Sequence, residues 1–275
     1  MALTALQRRV CLLLADERKR SGESYVAGGV ALNEVVAGAR RSRDIDLFHD
    51  TEAALVATWA SDRAALGAAG LRVDTLRELP AFVEARVSDA AETVLVQWAQ
   101  DSAFRFFPLV EHETFGLTLH PLDLATNKLL AIVGRREARD WVDIVKCHDD
   151  VQPLGYLAWA AAGKDPGFSP LRIVEECARI RYVQSEIDGL DFDGPTPRAA
   201  DLSARWHAAI AEAREVVRAL PADEAGKCVL DHEGRLAKAP PDALPRELSG
   251  DRVVFHEGRI RGAFPELRIR GPRPA

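Results

Sequence analysis

The stretch from Tyr25 to Phe48, YVAGGVALNEVVAGARRSRDIDLF, constrains the chain more than any other, because it ends in two carboxylates one residue apart. Asp44 and Asp46 are threaded between Ile45, Leu47 and Phe48, which favour extended backbone, so DIDLF is predicted to be a strand. Period-2 alternation then puts both acids on one face, roughly 6 to 7 Å apart along the chain. Two such carboxylates repel. Either they raise their pKa, or they point into bulk water with one of them capping a turn, or a cation sits between them, and hard divalent ions such as Mg²⁺ take oxygen ligands of this kind.

The residues upstream narrow the choice. Tyr25-Val26-Ala27 reads as a short apolar strand, Gly28-Gly29 as a turn, and Val30 to Val36 as a helix. Glycines ahead of a helix let backbone approach a ligand while the first helical N–H groups face an anion, although the same pair also makes a plain tight turn. Neither the Walker lysine with its Ser/Thr nor a GxGxxG fingerprint is present. A basic and hydroxyl segment, Arg40 to Arg43, then precedes the acids.

In this order the motifs resemble the AbiEii/AbiGii toxin-like nucleotidyltransferases of the DNA polymerase beta type superfamily. Gly28-Gly29 and Arg40-x-Ser42-x-Asp44-Ile45-Asp46-Leu47 match the first half of the family pattern. Downstream, DLATNKLLAIVGRREARDWVDIVK (residues 123–146) matches the second, with Lys128 early on a helix and Arg139, Asp140, Asp143 and Ile144 after it. The resemblance covers roughly the first 150 residues. It implies an α+β fold, a nucleotidyltransferase-like mixed sheet flanked by helices and followed by a C-terminal helical domain. It also implies Mg²⁺ on Asp44 and Asp46, an NTP whose β and γ phosphates lie against Gly28-Gly29, and supporting hydrogen bonds from Arg40 and Ser42. Lys128 would meet the triphosphate and Asp143 the metal or the acceptor, with Asp140 the less favoured alternative. The implied acceptor is the 3′ end of tRNA and the implied partner a cognate antitoxin. A small-molecule acceptor of the antibiotic type, or a non-catalytic nucleotide-binding module, fits the residues as alternatives. Without the resemblance, Lys128 reads as a solvated surface residue and Asp140 and Asp143 as part of a surface salt-bridge lattice.

Composition adds limits. The 275 residues carry a net charge of −6, so no general positive field would hold the chain on nucleic acid, and any RNA contact must be local. Cys11, Cys147, Cys177 and Cys228 lack metal-ligand spacing and read as inert buried thiols. No apolar run approaches a membrane span and no signal segment is evident, so a cytoplasmic location without membrane contact is expected.

Leu3 to Arg20 has amphipathic helical spacing, and a further helix is expected from about Asp50 to Gly70, with His49 as a surface or capping histidine. Strands are expected at Leu71–Leu76, Phe82–Val87 and Thr93–Gln100, with shorter ones at Phe104–Leu109 and Phe115–Leu119. Asp101 or Glu111 could supply the third acid usual in the wider superfamily. The chain divides into a catalytic domain (1–150), a helical domain (151–220) and a C-terminal hairpin and loop extension (221–275). Helices are expected at Leu154–Ala162, Pro170–Val183 and Ala199–Leu220. Two echoing pieces, VLDHEGRL and VVFHEGRI, read as two separate hairpins with exposed His232 and His256, and Arg268–Ala275 as a loose basic tail.

Overall fold

Residues 3–266 are described by the computed structural model; the proposed basic tail, Arg268–Ala275, lies outside them. The chain opens with α1 (Ala5–Ser21), held by a Thr4–Gln7 capping box, then β1 (Ser24–Ala27), α2 (Gly28–Val35), β2 (Asp44–His49) and α3 (Glu52–Ala68). Next come β3 (Arg72–Leu79), β4 (Phe82–Ser88), β5 (Thr93–Gln100), β6 (Phe104–Arg105), β7 (Val110–His112) and β8 (Gly116–Thr118). These are followed by α4 (Pro121–Arg135), α5 (Ala138–Asp150), α6 (Leu154–Ala161), α7 (Pro170–Ala178), α8 (Gln184–Asp188) and α9 (Ala199–Ala219). A 3₁₀ turn at Ala222–Glu224 leads to β9 (Cys228–Asp231), α10 (Leu244–Ser249), β10 (Val253–His256) and β11 (Arg259–Ile260).

Seven strands form one mixed sheet in the order β3-β4-β5-β2-β1-β8-β7. β2 lies in its centre, antiparallel to β1 and parallel to β5. Ile45, Leu47 and His49 are buried on one face of β2, and Asp44, Asp46 and Phe48 occupy the other. The α+β architecture is thus the expected one, a mixed sheet flanked by helices with further helices after it. A single apolar cluster runs from Leu3 through the sheet into α6, α7 and α9 and on to Leu244. Loop 191–193 also reaches back to the segment before β2: Arg41 N donates to Asp191 O at 2.9 Å and Asp193 N to Ala39 O at 2.7 Å.

Several local expectations change. The strand expected at Phe104–Leu109 stops after Arg105, because the Phe106 and Phe107 amides donate to the Asp123 carboxylate of α4 at 2.9 and 3.1 Å, not to a neighbouring strand. The helix expected to reach Val183 ends at Ala178. Ile180 turns inward, and Glu186 accepts from Val183 N at 2.8 Å to start α8. His49 is fully buried, with Nδ1 3.3 Å from Ala99 O, and is no surface histidine. The first HEGR piece does turn on itself, with Asp231 N donating to Arg235 O at 2.8 Å. The second does not: Val253–His256 pairs with β9, and Arg259–Ile260 crosses to β6. His256 drives that departure, since its imidazole is buried with Nε2 2.8 Å from Phe106 O and 3.1 Å from Ala263 O. His232 is exposed as expected. All four cysteines are free and buried.

Candidate active site

β2 and its neighbours make one wall of a cleft of about 670 Å³, and α4 makes another. Gly28, Gly29, Arg40, Ser42, Asp44, Asp46 and Lys128, all singled out in the sequence, line it together. The glycines serve close approach. Gly28 has φ +65°, and a side-chain carbon there would overlap the Asp46 carboxylate. At Gly29 the same carbon would lie 2.8 Å from Arg40 Nη2 and 3.0 Å from Ser42 Oγ. Only glycine lets the β1–α2 turn sit against the acid on one side and the arginine on the other. Ala27, at the start of α2, gives no side-chain cap, so the first-turn amides of the helix need another partner. Ser42 is buried, and its carbonyl accepts from Gln7 Nε2 at 2.8 Å, which ties the loop to α1.

Behind this lining lies a buried ion network. Arg40 holds Asp143 through two parallel bonds, Nε to Oδ1 at 2.7 Å and Nη2 to Oδ2 at 2.8 Å. Lys128 Nζ lies 2.9 Å from Asp140 Oδ1 and 3.2 Å from Asp143 Oδ2. Arg135 forks onto Asp140 at 2.7 and 2.9 Å. Asn33 Nδ2 donates both to Asp143 Oδ1 at 3.1 Å and to Gly29 O at 2.9 Å, which couples the glycine turn to the network. Burial pushes the Asp143 and Asp140 carboxyls up, but the charge of Lys128 and the Arg40 bond for Asp143, and the Arg135 bond and Lys128 for Asp140, outweigh it. Both stay below the usual aspartate range.

Asp143 therefore meets its expected neighbours in an unexpected posture. It sits beneath Lys128, its oxygens already engaged by Arg40, Lys128 and Asn33, and does not line the cleft; Asp140 is placed the same way. Lys128 is buried against both acids, not solvated. Asp101 lines the cleft, whereas Glu111 lies outside it beside Lys19. Opposite Asp46, where parallel pairing with β5 would bring a third acid, stands Gln97, its amide donating to Glu84 at 2.8 Å. Asn33 and Gln97 escaped the sequence reading. The alternation of Val94, Val96 and Trp98 hinted at Gln97's opposite facing, but only the strand register places it by Asp46.

Asp46 differs from its neighbours. It forms no ion pair with a described residue, and burial together with the charge of Asp44 raises its carboxyl above the usual range. Asp44 has only the Arg139 guanidinium, at 4.0 Å. Two hard oxygen donors, one of them half-buried and without an ion-pair partner among the described residues, fit a divalent cation such as Mg²⁺. No group of three His, Cys, Asp or Glu side chains is set to hold a metal ion among the described residues. A bound ion would accordingly complete its oxygen shell from phosphate and water.

No protein-family model and no curated protein matches the chain. Among solved structures, it is similar to MenT4, a nucleotidyltransferase toxin from Mycobacterium tuberculosis H37Rv, at 17% identity with a TM-score of 0.51 over 79% of this chain and 83% of that one. It is also similar to an H. pylori protein provisionally named a nucleotidyltransferase, at 13% identity and TM-score 0.56 over 80% of this chain and 99% of the other. JHP933 from Helicobacter pylori matches at 12% identity and TM-score 0.52 over 76% and 91% of the two chains. The chain has the nucleotidyltransferase fold. Within that fold the cleft lies where β2, the glycine turn and α4 converge, and no described helix is long and apolar enough to cross a membrane.

Proposed function

We propose that the protein is a Mg²⁺-dependent nucleotidyltransferase that moves a nucleotide from an NTP to an acceptor hydroxyl, the 3′ end of tRNA, as the toxin of a toxin–antitoxin pair in the cytoplasm. The observation that carries the reaction class is the meeting, in one cleft, of Asp44 and Asp46 with Gly28, Gly29 and Lys128. Asp44 and Asp46 would hold the divalent ion, which supplies charge neutralisation on the phosphates when bound. The uncapped first turn of α2 offers N–H groups to phosphate oxygens, and Arg135, Arg139 and Lys128 supply positive charge along the facing wall. Transfer of this kind asks the protein mainly for positioning and electrostatic stabilisation. The acceptor oxygen forms its bond to the α-phosphorus as the bond to the β-phosphate oxygen breaks, releasing pyrophosphate. Asp143 acts through others: it fixes Arg40 and Lys128 in place and, through Asn33, the glycine turn.

The toxin role rests on likeness to MenT4, named a nucleotidyltransferase toxin, together with the motif order. Incubating the protein with total tRNA, each labelled NTP and Mg²⁺ should label tRNA, and neither the Asp46→Asn variant nor an EDTA-treated sample should do so. Label on an aminoglycoside in place of tRNA would transfer the reading to a small-molecule enzyme, and NTP binding with no transfer to any acceptor would reduce it to a binding module.

A further inference from the structure

The cleft changes character along its length. On β2 the exposed face runs from Asp44 and Asp46 to Phe48, each step roughly 6 to 7 Å. Phe48 lies opposite Tyr25 of β1, their rings stacked with centroids 6.2 Å apart, and Phe104 of β6 also lines this end. Along α4 the lining passes from Arg135 back to Asn127 and Leu124, about 12 and 16 Å away at 1.5 Å per residue. One end is thus set by the two acids and Arg135, and the other carries aromatic rings and the Asn127 amide, with Asp101, Ser102, Arg105 and Lys164 beside them.

That amide is held in one orientation. Lys164, almost wholly buried, places Nζ 2.7 Å from Asp123 Oδ1, 3.3 Å from Asp123 O and 2.7 Å from Asn127 Oδ1. Asp123 is itself fixed by the Phe106 and Phe107 amides. An ammonium has three donors and no acceptor, so all three of its hydrogens are engaged, and it can face only the oxygen of the Asn127 amide. The amide nitrogen, which bonds to no described residue, is then the group Asn127 can offer a ligand. An NH₂ donor beside aromatic side chains suits a planar base with an acceptor on its edge, a carbonyl or a ring nitrogen.

We propose that this end of the cleft is the nucleobase subsite for the NTP, with Asn127 donating to a carbonyl or ring-nitrogen acceptor on the edge of the base. The inference rests on the nucleotidyl-transfer reading and adds a base-binding residue to it. Lys164 is a positioning residue, since it never meets the base, and Phe48 and Phe104 supply stacking surface.

The test is equilibrium binding, with Mg²⁺ and no acceptor, of the four NTPs and of inorganic tripolyphosphate. Wild type should hold at least one of the four NTPs about tenfold more tightly than tripolyphosphate, the effect of roughly one good hydrogen bond. Asn127→Ala should bring that nucleotide close to the tripolyphosphate level. Asn127→Asp keeps the Lys164 contact but presents an acceptor where the base needs a donor, and should weaken binding of that nucleotide at least as far. Thermal melting of each variant reports whether it is folded, and Asn127→Asp, which leaves the Lys164–Asp123 pair intact, keeps the test available if Asn127→Ala is unstable. Equal binding of all four NTPs and tripolyphosphate by wild type would remove the subsite while leaving the phosphate site standing. Binding of neither nucleotide nor tripolyphosphate would remove the nucleotidyltransferase reading and the subsite with it. An Asn127→Asp variant with an unchanged NTP affinity, or one altered only in its KM for tRNA, would assign Asn127 to something other than the base.

Discussion

Asp46 is the side chain on which chemistry and stability pull in opposite directions. Burial and the neighbouring Asp44 charge raise its pKa above the ordinary aspartate value of 3.8, so the folded protein holds this proton more tightly than the unfolded chain does. The sign follows from linkage. Stability decreases as pH rises through the raised value, and above it the folded state carries an ionised group it disfavours. Asn in its place has no such charge at any pH. Asp46→Asn should therefore melt about 2 to 4 °C higher than wild type in metal-free buffer at neutral pH, the shift that 1 kcal/mol makes in a chain of roughly this size. The gap should close as pH is lowered through the raised pKa. The same variant should lose at least about 100-fold in transfer rate, the usual cost of removing one preorganised charge-stabilising group. Scanning calorimetry over a pH series, beside the tRNA-labelling assay, checks both halves. A variant less stable than wild type in metal-free buffer would mean that Asp46 is satisfied by protein groups and is not kept for a ligand.

At the scale of elements, α4 and α5 are joined by charge as much as by packing. Lys128 and Arg135 come from α4, Asp140 and Asp143 from α5, and Arg40 from the segment before β2. Removing one partner from a buried pair leaves the others uncompensated, so Asp143→Ala should cost about 3 to 5 kcal/mol in urea unfolding. Its pH dependence has the sign opposite to that of Asp46. The Asp143 pKa is held below 3.8, so its contribution is whole above that ordinary value and disappears as pH falls through the lower folded one. The difference between wild type and Asp143→Asn should thus be full at neutral pH and vanish in acid; a difference that persisted in acid would mean the contribution is not electrostatic. This network also marks where the sequence stopped being legible. Periodicity located β2, β4, β5 and α4 because each buries one face, and the Gly-Gly and DxD pairs located the cleft because their spacing is local. Whether Lys128 is solvated or buried depends instead on how α5 docks, a contact between elements that no spacing within either helix encodes. For the same reason Asn33, more than a hundred positions from Asp143, could not be read as its partner.

Across the whole molecule, three distant parts of the chain meet at the cleft. The N-terminal half supplies most of the lining, loop 191–193 pairs with residues 39–41, and the last described residues hold the aromatic end. That last contact is specific. β11 pairs Arg259 with Arg105 and Ile260 with Phe104, while Asp50 takes both Arg105 at 2.8 and 3.1 Å and Arg261 at 3.5 Å. Gly258 lies so close to Phe104 that a side-chain carbon there would overlap the ring. A residue far from Asp46 in sequence should consequently tune nucleotide binding. Gly258→Ala must displace either the Phe104 ring, which lines the cleft, or the β11–β6 pairing that supports it, and overpacking of this kind costs about 1 to 3 kcal/mol. If Phe104 stacks on the base, the variant should raise KM for the NTP severalfold and leave kcat nearly unchanged, because ground and transition states share that contact equally. Steady-state kinetics with saturating tRNA, paired with urea unfolding, separates the effects. A loss of stability with KM untouched would make the C-terminal strap a purely structural brace and remove Phe104 from the nucleotide's surroundings.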